Sequence, residues 1–177
     1  LVSPVTILGY TIGGVIEAVE FQDAAMEAAA RDILKCEPSH TIFTNDLWQI
    51  TEFEVPAEAA TLEDLKYMTY LESLTLSNCG TLDLSPLEGL QKLEVLGLNS
   101  SNELASLEPL TTLPKLRYLS IGTGTTYPSL DPLTRTHIEF LDMGLGVGDE
   151  KTCKGLDYEP LTRMPDLKYL DLMNHLD

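Results

Sequence analysis

The chain has 177 residues and carries 28 acidic against 11 basic side chains, a formal net charge of −17. Its 44% hydrophobic and 22% charged content is that of a single folded domain long enough to bury a core. The charge excludes a nucleic-acid or anionic-membrane partner for the average surface, and no apolar run reaches the ~18–20 residues of a spanning helix. Leu1–Ile16 is uncharged but too short and too rich in Gly and Pro. A first residue of Leu rather than Met points to a processed or trimmed chain from which any export signal has gone.

In chain order, Val5–Ile12 and Val15–Phe21 flank Gly13-Gly14, a pair able to take the positive φ angles of a two-residue turn, so a β-hairpin is expected there. Asp23 reads as a helix N-cap. Met26, Ala29, Ala30, Ile33 and Leu34 then fall on one helical face through Lys35, before Pro38 ends the run.

From about residue 50 one apolar pattern, L-x-x-L-x-L, recurs. Its instances are Leu71/Leu74/Leu76, Leu93/Leu96/Leu98, Leu116/Leu119/Ile121, Ile138/Leu141/Met143 and Leu167/Leu170/Leu172, starting 22, 23, 22 and 29 residues apart. Ile50/Phe53/Val55 is a weaker sixth, 21 residues earlier. A second ladder fixes the register: Pro86-Leu87, Pro109-Leu110, Pro132-Leu133 and Pro160-Leu161 recur at 23, 23 and 28, with apolar residues three and six positions on as in Leu87/Leu90/Leu93 and Leu110/Leu113/Leu116. Alternation such as Leu74-Thr75-Leu76 is a short strand with its leucines inward, and the period-three stretch is a helical or 3₁₀ turn. One such unit cannot bury both ladders. Stacked units can, each strand pairing in parallel with the next at ~4.8 Å in a curved solenoid.

These residues resemble the leucine-rich repeat family, and Leu82-Asp83-Leu84-Ser85-Pro86-Leu87-Glu88-Gly89-Leu90 looks like the short repeats of internalin-type bacterial proteins. The order Phe21-Gln22-Asp23, a helix through Glu27 and Arg31, then Thr44-Asn45-Asp46-Leu47 and Ile50-Thr51 is similar to the N-terminal cap of such proteins. The resemblance implies an α/β fold: a right-handed leucine-rich repeat solenoid with a parallel sheet on its concave face, behind an N-terminal α+β cap. Residues 1–48 would form the cap, and 49–177 the repeats with about six strands. It also implies an exported, surface-held or secreted protein that binds another macromolecule. One departure stands out. The ninth repeat position, usually Asn in the family, reads Cys79, Ser101, Gly124, Gly146 and His175, so the two glycines leave backbone groups to find other partners and looser turns are expected after Ile121 and Met143.

The 28-residue spacing between Pro132 and Pro160 places an insertion at Gly144–Glu159. Its glycines followed by Lys151-Thr152 fail as a phosphate loop, because Glu150 stands where the motif requires Gly. The chain stops at Asp177 just after the last strand, so the array either continues in the natural protein or ends abruptly. Three dispersed cysteines make neither a disulfide framework nor a metal pairing, and Cys79 is expected to fill the interior. His40, His137 and His175 form no triad or zinc cluster, and Asn99-Ser100-Ser101 matches a glycosylation sequon only as a short pattern.

Function is sought in columns down the stack. Glu52, Ser73, Val95, Tyr118, Phe140 and Tyr169 form one, and Glu54, Thr75, Gly97, Ser120, Asp142 and Asp171 form the next. Tyr118, Phe140 and Tyr169 are the candidate apolar anchors, with Asp142 and Asp171 as charge complement. The competing reading is that the rings only shield the sheet, and that the acids only keep it soluble. The carboxylate pair could also serve acid/base chemistry or calcium, but solvated acids are the commoner arrangement, so no catalytic residue, metal or cofactor is assigned. The expectation is a non-enzymatic module for a protein or glycan with a basic patch, against an architectural spacer or a hydrolase built on the acidic pair.

Overall fold

The structure, a computed structural model, describes residues 5–7, 10–12, 16–77, 81–99, 103–122, 125–143 and 157–172, with backbone alone for 5–7, 10–12 and 81–82. Strands β1 (Val5–Ile7) and β2 (Tyr10–Ile12) pair antiparallel, Ile7 opposite Tyr10. The pairing thus lies wholly inside Val5–Ile12, the first of the two expected arms, and the expected turn residues Gly13-Gly14 lie outside the described residues. The other expected arm follows a different course. Ala18 bridges Phe43 antiparallel, with Val19 N–H donating to Ile42 O at 2.8 Å and Thr44 N–H to Glu17 O at 2.9 Å. Alternation predicts only that the stretch is extended; the long-range contact fixes its partner.

Helix α1 (Ala24–Leu34) starts where expected: Asp23 is extended, and its carboxylate accepts from Ala25 N–H and Met26 N–H. It ends at Lys35, which takes the left-handed conformation at φ 54° and returns its N–H to Arg31 O and Asp32 O. Met26 and Ala30 are completely buried, but Ile33 is exposed, contrary to the single apolar face expected. The buried stripe is narrower than the apolar spacing suggests, and the segment after the helix folds back on Arg31, which donates to Glu37 O at 3.0 Å and to His40 O at 2.9 Å, with Glu27 held on its other nitrogens.

The repeats form one six-stranded parallel sheet. Its strands are β3 (Glu52–Val55), β4 (Ser73–Ser77), β6 (Val95–Asn99), β8 (Tyr118–Ile121), β9 (Phe140–Asp142) and β10 (Tyr169–Asp171), neighbours in that order. The small strands β5 (Thr81–Leu82) and β7 (Glu103–Leu104) pair in parallel outside it, and Glu103 bridges on to Thr126. Each coil also contributes a 3₁₀ turn: Glu63–Tyr67, Ser85–Leu87, Glu108–Thr112, Asp131–Arg135 and Glu159–Arg163. These turns share a start signal. The first N–H of each donates to a side chain two residues back, Thr61, Asp83, Ser106, Ser129 or Asp157, at 2.9–3.2 Å.

Both apolar ladders point inward. Leu74, Leu96, Leu119 and Leu141 are wholly buried, as are Leu65, Leu87, Leu110 and Leu133 on the other ladder. Met26, Ala30, Ile42 and Leu47 of the cap join the same core, so the helix continues the stack instead of lying on its surface. Of the ninth-position column, Cys79, Ser101, Gly124, Gly146 and His175 all lie outside the described residues, as does most of the expected insertion. Tyr158 and Glu159 belong to an ordinary coil, Glu159 opening its 3₁₀ turn. Thr125 is buried, and its hydroxyl donates to Leu98 O at 3.3 Å, an oxygen that also accepts from Gly122 N–H at 2.7 Å.

Candidate functional site

The register brings the two predicted columns together on the exposed face of the sheet. Glu52 pairs with Ser73, Ser73 with Val95, Val95 with Tyr118, Tyr118 with Phe140 and Phe140 with Tyr169. Glu54, Thr75, Gly97, Ser120, Asp142 and Asp171 align two residues along. Inward leucines on either side fix this arrangement, because a one-residue slip would bury the polar column and expose the core.

Val95, Tyr118, Phe140 and Tyr169 form a run of exposed large apolar residues on adjacent strands, Tyr169 reaching 54% exposure. The rings of Phe140 and Tyr169 lie 6.3 Å apart at 37°. Asp142 and Asp171 are half-buried beside them, and Ser120 Oγ donates to Asp142 at 3.3 Å. Partial burial pushes the Tyr118 hydroxyl above the ordinary phenol range, and the negative charges of Asp142 and Asp171 push it in the same direction. The face changes character across the strands: carboxylates at Glu52 and Glu54, small residues at Ser73, Thr75 and Gly97, then aromatics with carboxylates. Just before the strands, Glu139 accepts from Lys168 at 2.7 Å and faces Arg117 at 3.7 Å.

Three features escaped sequence reasoning. The first is a buried polar junction between cap and repeats. Asp64, fully buried, accepts from Gln22 N–H and Asp23 N–H at 2.9 Å each, while Asp23 in turn accepts from Ala60 N–H at 2.7 Å. Its signal was present: Asp64-Leu65 stands where later coils have Pro-Leu. The second is a stack in which Trp48 lies 5.5 Å from Tyr70 and Lys92 sits 3.4 Å above the Tyr70 ring centre, tying three successive coils together. The third is an exposed pairing of His137 Nδ1 with Asp166 at 2.7 Å, across adjacent coils. Among the described residues no three His, Cys, Asp or Glu side chains are grouped to hold a metal ion. No helix among them is long and apolar enough to cross a membrane.

An internalin, InlF, from Listeria monocytogenes superimposes with a TM-score of 0.68 at 27% identity, over 85% of this chain and 43% of that one. The protein has an internalin-like leucine-rich repeat fold. A functional domain of Listeria monocytogenes InlJ, described as including a cysteine ladder, aligns at TM-score 0.53 and 22% identity over 93% of this chain and 40% of its own. The chain thus spans about two-fifths of the length of each internalin. No protein-family profile and no curated protein sequence matches it.

Proposed function

We propose that this internalin-like domain is a non-enzymatic binding module, surface-held or secreted, that recognises a macromolecular partner through the concave sheet. One observation carries the reading: the register sets the solvent-exposed Tyr118, Phe140 and Tyr169 side by side, bordered by Asp142 and Asp171. Such a surface offers large contact area at small entropic cost, since each ring has only two rotatable bonds to immobilise. The partner is a protein with a basic patch, and association weakens with salt as the acidic face is screened. A glycan is the second candidate ligand, because exposed rings also stack on sugars.

The test measures binding of the intact domain and of Tyr118→Ala/Phe140→Ala/Tyr169→Ala to a panel of extracellular proteins and glycans, at low and high salt, after circular dichroism shows equal folding. Loss of one ring at a hot spot costs about 1–2 kcal/mol or more, so the triple variant loses at least about a hundredfold in affinity. Unchanged binding by the variant would move the site off this face, and a panel bound by neither protein would favour an architectural spacer.

A further inference from the structure

The chemistry of the aromatic end is more specific than a generally acidic surface. On β9 and β10 the rings of Phe140 and Tyr169 and the carboxylates of Asp142 and Asp171 occupy the corners of a rectangle. Between Cα positions its sides are about 4.8 Å across strands and about 6.6 Å along them, from strand spacing and rise, while the two ring centres stand 6.3 Å apart. Tyr118 on β8 extends the ring side by one strand. The rings are tilted to one another instead of being closed face to face, so part of their surfaces stays open to solvent. The carboxylates are half-buried, where charge acts more strongly than in open water. The field they create is felt at the Tyr118 hydroxyl.

Resting on the reading of the concave sheet as the binding face, we infer that this rectangle receives an arginine side chain of a protein partner. A guanidinium is a flat cation with five N–H donors. It stacks on an aromatic face while its edge donates to two carboxylates on neighbouring strands. An ammonium supplies the charge but neither the flat face nor the fork. A neutral sugar could stack on the rings and donate hydroxyls to the carboxylates, but it brings no positive charge to balance the pair.

The experiment titrates the full chain, labelled with carbon-13 in its tyrosine and phenylalanine rings, with blocked glycine-X-glycine peptides in which X is arginine, lysine or citrulline, the neutral isostere of arginine. Saturable shifts at Tyr118, Phe140 and Tyr169 are expected with arginine, about tenfold weaker with citrulline and intermediate with lysine. Asp142→Asn/Asp171→Asn, which keeps shape and rings, should reduce the arginine response to the citrulline level. Equal responses to all three peptides, or an arginine response that survives the double substitution, would overturn the assignment. So would the absence of any saturable response. If the peptides fail while the triple alanine variant still loses a protein partner, the concave face remains the binding surface and the arginine assignment alone falls. If both fail, so does the reading beneath it.

Discussion

Asp64 offers the sharpest test of how the cap is held to the repeats. Its carboxylate is fully buried and accepts two backbone N–H groups, from Gln22 and from Asp23, both at 2.9 Å. Asp64→Ala leaves both donors without that partner. Hydrogen bonds to a charged group contribute about 1.5–3 kcal/mol each. The Gln22 amide borders solvent and recovers part of its loss to water, and removing a buried charge relieves some desolvation. The net cost is therefore about 3 kcal/mol, near 6–12 °C in Tm for a chain of this size. Asp64→Asn discriminates the mechanism: its amide oxygen can serve one N–H, but its NH₂ then meets the second as donor against donor. Asparagine should cost nearly as much as alanine, about 2–3 kcal/mol. Urea unfolding supplies the assay, followed by the fluorescence of the sole tryptophan, Trp48, which is stacked on Tyr70. An Asn variant within about 0.5 kcal/mol of the parent would mean that Asp64 acts only by filling volume, and the clamp would be refuted.

Two further outcomes follow from the same structure. Burial pushes the Asp23 carboxyl up, but hydrogen bonds from Ala60, Met26, Ala25 and Thr61 outweigh it and hold the group below the usual 3.8. Its stabilising contribution is thus complete above pH 3.8 and is lost as pH falls through the lower folded value, so acid unfolding followed by Trp48 fluorescence should be shallower below pH 3.8 in Asp23→Asn than in the parent. In the core, Leu96→Ala at a wholly buried position should cost about 2–5 kcal/mol. The equivalent Leu170→Ala, at 37% exposure on the last strand, should cost about 1 kcal/mol because less area leaves water there; equal losses in chemical denaturation would contradict that gradient.

The repeat pattern already contained the solenoid. Two ladders of leucines at a common period leave few ways to bury both, and the strand columns they imply are those of the observed register, down to Phe140 beside Tyr169 and Asp142 beside Asp171. The start of α1 at Asp23 was likewise legible, because an N-cap is a local bargain between one side chain and the next two or three amides. What tertiary structure alone decided was partnership across the sequence. The extended stretch around Ala18 pairs with Phe43 instead of closing a hairpin, and Ile33 stays exposed on a helix whose apolar spacing suggested burial. Asp23 and Asp64, 41 residues apart, become one buried junction. Periodicity reports which way a side chain faces within its own element, whereas burial and hydrogen bonding depend on what the folded chain brings against that face.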